Sequence, residues 1–152
     1  MRITIAAVGR LRSGPEQELL AEYLRRLNWP HSIKEVEEKR RLDPPALKRR
    51  EGELLLQALP KQAVLLALDG NGKALSSEAF AALIGRLQDD GTGDLAFVIG
   101  GAEGLSDEIR AAAAHVISLG AMTWPHLLVR IMLAEQLFRA QSILTGHPYH
   151  RA

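Results

Sequence analysis

Five short runs rich in Ile, Val, Leu and Ala, at residues 3–8, 33–36, 63–68, 95–99 and 116–119, alternate along the chain with segments of helical periodicity. Strands separated by helices cannot be joined as hairpins, so the alternation predicts an α/β domain whose mostly parallel sheet is flanked by helices. The helices are expected at residues 16–27, 45–59, 76–88, 106–114 and 125–144. The first puts Leu20, Leu24 and Leu27 on one stripe and Glu18, Glu22 and Arg25 elsewhere, with Pro15 at its first turn. Ser76 and Ser106 stand where N-caps are needed. The last segment carries Leu127, Leu128, Ile131, Met132, Leu133, Leu137 and Phe138 around its circumference, the pattern of a helix buried from two directions. One side would meet the domain's own sheet and the other a second subunit, which predicts a homodimer.

A chain of 152 residues that is 47% apolar can build one substantial core, and nothing in it resembles a linker, so residues 1–152 are expected to form a single domain. Aromatic residues are only 5%, which favours helices on a sheet over an all-β sandwich. Cysteine is absent, which excludes disulfides, zinc fingers and thiolate catalysis. No apolar run reaches the length of a membrane span and the start lacks a secretory pattern, so a soluble cytoplasmic protein is expected. A net charge of +1 is too small for a general polyanion binder, so any RNA affinity must come from local patches. Residues 39–50 are such a patch. Lys39, Arg40, Arg41, Lys48, Arg49 and Arg50 stand there against Asp43 alone, which reads either as a solvated loop or as a flexible arm gripping phosphates.

Glycines cluster where strands are expected to end, at Asp69-Gly70-Asn71-Gly72-Lys73 and at Gly100-Gly101-Ala102-Glu103-Gly104. Ligands of open α/β sheets bind at the carboxyl ends of strands. Neither segment fits the dinucleotide fingerprint, a P-loop or an EF-hand. Together they suggest a ligand without phosphates, approached closely by backbone. The small-residue segment 118–126 would supply a third loop at the same end of the sheet. The C-terminus places His147, Tyr149, His150 and Arg151 beyond the last helix: arginine binds phosphate, tyrosine stacks on bases, and histidine ordinarily titrates near neutrality. Two histidines without partnering ligands are weak support for a metal site, and none is expected. Glu135 and Arg139 are spaced as a helix-surface ion pair.

The segments Ile5-Ala6-Ala7-Val8-Gly9-Arg10-Leu11, Leu68-Asp69-Gly70-Asn71-Gly72-Lys73, Phe97-Val98-Ile99-Gly100-Gly101-Ala102-Glu103-Gly104-Leu105, Met122-Thr123-Trp124-Pro125-His126 and His147-Pro148-Tyr149-His150-Arg151 resemble, in this order and nearly end to end, the RlmH family of SPOUT-class methyltransferases. That resemblance implies methylation of N3 of a pseudouridine in large-subunit (23S) ribosomal RNA, on assembled ribosomes, with S-adenosylmethionine as cofactor. It also implies a trefoil knot in the C-terminal half and a homodimer in which the tail reaches the partner's cofactor pocket. Carried over by position, the cofactor would lie against Leu68, Gly100, Leu119, Gly120, Ala121, Met122, Thr123 and Trp124. The candidates for handling the acceptor's proton are His150, Tyr149, Arg151 and Glu135, with His126 behind them. A transfer-RNA ribose methyltransferase of the same class, a non-catalytic dimeric RNA-binding protein and an α/β enzyme acting on a small metabolite remain as alternatives.

Overall fold

The computed structural model describes residues 1–151. Its elements follow in the order β1 (Arg2–Val8), α1 (Pro15–Arg25), β2 (His31–Val36), α2 (Pro44–Ala58), β3 (Val64–Ala74), α3 (Ser77–Asp89), β4 (Asp94–Ile99), α4 (Asp107–Ala112), β5 (His115–Ser118) and α5 (His126–Thr145). The strands form one sheet in the order β2-β1-β4-β3-β5, and every pairing is parallel.

Side chains alternate across a strand, so each strand feeds two cores. Ile3, Ile5, Leu66, Leu95, Phe97 and Ile117 face one way, onto Phe80 and Ile84 of α3 and Leu133 and Leu137 of α5. Ala6, Val8, Leu65, Ala67, Ala96 and Val98 face the other, onto Leu55 of α2 and Ile109 of α4. β4 is buried on both sides over Leu95–Ile99, as expected of a central parallel strand. Helices start where the sequence has caps: Ser76 Oγ accepts from the Ala79 amide, Ser106 Oγ from the Ile109 amide, and Asp43 caps α2 ahead of its prolines. Such caps contribute about 1 kcal/mol each.

β3 departs from expectation. The run Asp69-Gly70-Asn71-Gly72-Lys73 was expected to end a strand as a turn, yet β3 continues through it to Ala74. Pairing with β5 breaks after Leu68↔Ile117 and resumes at Lys73↔Ile117, so the intervening residues bulge out of the ladder. Asp69 Oδ1 accepts from the Asn71 amide at 2.8 Å and braces the bulge. At Gly72 a Cβ would lie 2.7 Å from the Ile117 backbone nitrogen, so only glycine lets the two strands close again.

Candidate functional site

The carboxyl ends of β3, β4 and β5 lie together at one edge of the sheet. The loop after β4 leads to α4 on one face, whereas the chain after β3 and β5 enters helices on the other; neighbouring strands that diverge in this way open a crevice. A groove of about 880 Å³ occupies it. Leu68, Gly100, Leu119, Gly120, Ala121, Met122, Thr123 and Trp124 all line this groove, with His126 at the start of α5. Met122 and Trp124 are 75% and 41% exposed, so apolar surface stands open at the rim.

Two supports hold the groove's walls. Arg110 of α4 donates through Nε and Nη2 to Asp69 Oδ2, at 3.0 and 2.7 Å, tying α4 to the β3 bulge. Burial alone would raise the Asp69 carboxyl, but the Asn71 amide and Arg110 outweigh it and hold Asp69 below the usual carboxylate range. The second support lies behind the Gly101-to-Gly104 turn. A Cβ on Gly100 would sit 2.8 Å from the Gly104 carbonyl oxygen, and one on Gly101 would sit 2.7 Å from Glu51 Oε2. Glu51, on α2, is 5% exposed and its Oε1 has no hydrogen-bond partner among the described residues. Burial, reinforced by Glu103, pushes this carboxyl up.

At the β1 side, Arg130 of α5 is wholly buried and donates from Nη2 to the carbonyls of Val8 and Gly9, at 2.8 and 2.7 Å. Its Nη1 donates to Glu35 Oε2 at 2.6 Å, and the same oxygen accepts the Leu11 amide. His126 Nε2 reaches the same corner, 3.5 Å from where a Cβ on Gly9 would be.

The C-terminal residues lie elsewhere. After α5 the chain turns back along the helix, so that the Tyr149 ring sits 4.6 Å from that of Phe138 and 4.9 Å from the Arg139 guanidinium carbon. The Tyr149 hydroxyl donates to Glu135 Oε1 at 3.1 Å, and Arg139 pairs with the same carboxylate. Burial pushes the Tyr149 phenol up to about 12, with Tyr23 and Glu135 adding to the shift, so it is a donor and not a base at neutral pH. His150 bridges Arg139 and Glu78: Nδ1 accepts from Arg139 Nη1 at 3.2 Å, leaving Nε2 to donate to Glu78 at 2.9 Å. Arg151 is exposed. Glu135 borders a second, mainly apolar pocket of about 440 Å³, also lined by Leu19, Tyr23 and Met132. Ser118, Leu119 and Gly120 belong to both hollows, so one loop separates them.

Residues 1–150 match the family model described as "Predicted SPOUT methyltransferase". The chain belongs to the SPOUT methyltransferase family. Among its relatives in that family is "Ribosomal RNA large subunit methyltransferase H" of Rhodospirillum centenum, 55% identical over 152 residues and covering all of both chains. The protein of the same name from Paramagnetospirillum magneticum is 56% identical over 151 residues, 99% of each chain. Among solved structures, a probable methylase family protein from Haemophilus influenzae has the same fold, with a TM-score of 0.58 at 11% identity over 99% of this chain and 70% of that one.

For a SPOUT methyltransferase chain, the sequence residues divide into two groups in space. The eight residues expected to hold a cofactor share one groove, joined by His126, whereas Glu135, Tyr149 and His150 share a polar cluster on α5 and do not line that groove. Three supporting residues escape a reading by motif. Arg130 is the one arginine of α5 with no acid three or four residues away, since Arg139 has Glu135, and that is the signal that could have found it. Asp69 had its signal in the Asx turn its sequence allows. Glu51 had none, because only the fold brings α2 behind the glycine turn. Among the described residues no group of three or more His, Cys, Asp or Glu could hold a metal ion, and no helix is long and apolar enough to cross a membrane.

Proposed function

We propose that this protein transfers the methyl group of S-adenosylmethionine to N3 of a pseudouridine in large-subunit ribosomal RNA, acting in the cytoplasm as a homodimer on assembled ribosomes. The observation that carries the reading is the convergence of the expected cofactor residues, drawn from three separate loops, on one groove in a chain that is 55% identical over its whole length to a ribosomal RNA large subunit methyltransferase. A C-terminal trefoil knot belongs to the same reading.

The groove suits this cofactor chemically. A Cβ on Gly100 or Gly101 would collide with the Gly104 carbonyl or with Glu51 behind the turn, so glycine keeps the turn tight. Gly104 and Gly120, which also line the groove, have nothing within 4 Å of a Cβ and leave bare backbone beside open space. Its arginine, Arg110, is already engaged by Asp69, leaving the groove without a dedicated phosphate clamp, in keeping with a cofactor that has none. Leu68, Gly100 and Leu119–Trp124 would hold it through backbone groups and apolar contact. When bound, S-adenosylmethionine supplies an electrophilic methyl on a sulfonium.

The chain's own task is to place the acceptor nitrogen about 3–3.5 Å from that methyl, in line, and to accommodate loss of its proton. N3 of a pseudouridine is protonated and neutral at pH 7, so a base or a nearby cation lowers the barrier. Arg151 is free to offer positive charge, while Tyr149 with its raised pKa can donate to the base but not deprotonate it. His150 and Glu135 are the remaining proton acceptors of the cluster. Because the tail lies off the groove of its own chain, the composite site would pair one subunit's groove with the other's tail. The apolar pocket around Leu19, Tyr23 and Met132 is the face that supports such a dimer.

Labelled S-adenosylmethionine, incubated with assembled ribosomes, separated large subunits or naked ribosomal RNA from cells lacking the activity, tests the reading when the labelled nucleoside is identified. N3-methylpseudouridine formed mainly on assembled ribosomes is expected. A 2′-O-methylated nucleoside in transfer RNA would move the chain to another SPOUT activity, and absence of cofactor binding by calorimetry would make it a non-catalytic RNA binder.

A further inference from the structure

The basic segment noted in the sequence is neither a free arm nor as positive as its composition suggests. Glu38 lies just outside the 39–50 window, and its carboxylate is 8% exposed. It binds Arg40 at 2.9 Å and Arg50 at 3.0 Å, and Arg50 also meets Glu53 at 3.0 Å. The Arg40 side chain and amide and then Arg50 lower Glu38 to about 2, so the clamp stays charged throughout the physiological range. The segment is therefore fixed against α2.

What remains positive can be found by accounting for the acids nearby. Glu35 is engaged by Arg130 and the Leu11 amide, Glu37 by Arg10 at 3.4 Å, and Glu38 and Glu53 as above. Arg12, Lys39, Arg41 and Arg49 are exposed and have no ion-pair partner among the described residues. Arg49 shares its hollow with Glu53, Glu103, Asp107 and Glu108, so the surplus centres on Arg12, Lys39 and Arg41. Against these stand Asp43, already used as the cap of α2, and the exposed Glu16 and Glu18 in the first turn of α1, beyond Arg12.

Topology brings the two segments that carry the three cations to one end of the sheet. β1 and β2 are parallel and in register to Val8↔Val36, and the Gly9 amide donates to the Val36 carbonyl at 2.8 Å. Residues 9–12 and 37–41 therefore leave the sheet side by side at its carboxyl edge. β4 flanks β1 on the other side, and a Cβ on Gly101 would meet Val8 Cγ1 at 3.0 Å, so the glycine turn of the groove borders this patch.

We propose that Arg12, Lys39 and Arg41 form a track that binds the RNA phosphates flanking the methylated nucleotide. The inference rests on the RNA methyltransferase reading and deepens it, by assigning the side from which the substrate strand crosses the groove. Guanidinium groups suit phosphate because they donate two parallel hydrogen bonds, and the clamped segment presents them with little ordering left to do. With a net charge of only +1 over the whole chain, such a track is where counterion release would be concentrated.

The test compares two variants of equal charge change in the full-length protein. One combines Arg12→Gln with Arg41→Gln; the other combines Lys61→Gln with Arg86→Gln, two exposed positions at the opposite edge, before β3 and at the end of α3. Binding to assembled ribosomes lacking the modification, and to protein-free large-subunit RNA, is measured across salt concentrations, with the S-adenosylmethionine Kd of each variant measured by calorimetry. The track variant should bind both probes on the order of tenfold more weakly and lose about 0.7–0.9 from the salt slope per contact removed. The opposite-edge variant should match the parent, and cofactor Kd should be unchanged in both. Equal effects of the two variants, or a loss seen with ribosomes but not with protein-free RNA, would overturn the track. If the parent protein itself fails to bind S-adenosylmethionine, it is the methyltransferase reading that falls.

Discussion

Glu51 and Arg130 are the two charged side chains that the cores enclose most completely. Each leaves one buried atom without a hydrogen-bond partner among the described residues, Glu51 Oε1 and Arg130 Nε, although only Arg130 is otherwise well paired. Arg130 is paired through three acceptors, so removing it leaves Glu35 half-buried and two strand-end carbonyls unpartnered. Arg130→Met should cost about 3 kcal/mol or more, read as a lower denaturant midpoint with an unchanged slope. Glu51 has an oxygen with no partner, and burial raises its carboxyl in the folded state. The folded protein then binds more protons than the unfolded chain, so this group's contribution to stability is fully present below the unfolded carboxylate pKa and is lost as pH rises through the folded value. Glu51→Gln should therefore gain on the order of 1 kcal/mol relative to the parent at pH 8 and little at pH 4, measured by thermal unfolding at both. A parent that instead gains stability relative to the glutamine variant on raising the pH would show a hidden partner for the carboxylate.

At the level of elements, β3 with its bulge is the piece on which the groove depends. Gly72→Ala would drive a methyl into the Ile117 backbone and part β3 from β5, and a loss of at least 2 kcal/mol is expected. Asp69→Asn keeps the shape but removes the charge that holds Arg110; weaker cofactor binding with a smaller loss of stability should separate it from Gly72→Ala. The element boundaries were legible because periodicity and caps act locally: Pro15, Ser76 and Ser106 open their helices as expected. The bulge was hidden because Gly and Asn signal a turn equally well when a strand ends and when it detours. Likewise a window of twelve residues could show the cations of 39–50 but not Glu38 beside it, and local composition cannot count an ion pair closed by folding. That three loops would meet at one end was legible because strand ends in a parallel sheet share an edge, whereas the choice of Leu68, Gly100 and Leu119–Trp124 within them came from the family resemblance. The place of Tyr149 and His150 on α5 depends on how the chain turns after Gly146, whose left-handed φ of 72° ends the helix without fixing what the tail meets.

For the molecule as a whole, the proposed dimer makes oligomeric state and activity inseparable. Sedimentation at micromolar concentration should show a dimer, and Met132→Glu, placed in the apolar pocket, should yield a folded monomer without methyl transfer. The two hollows have one loop between them, residues 118–120, where Ser118 Oγ accepts the Gly120 amide and donates to its carbonyl, at 3.1 and 2.9 Å. That loop is a party wall: pressure from a neighbour on one side sets how much room a tenant finds on the other. Dilution below the association midpoint should therefore loosen the wall and weaken S-adenosylmethionine binding, giving an apparent affinity that depends on how crowded the protein is with copies of itself.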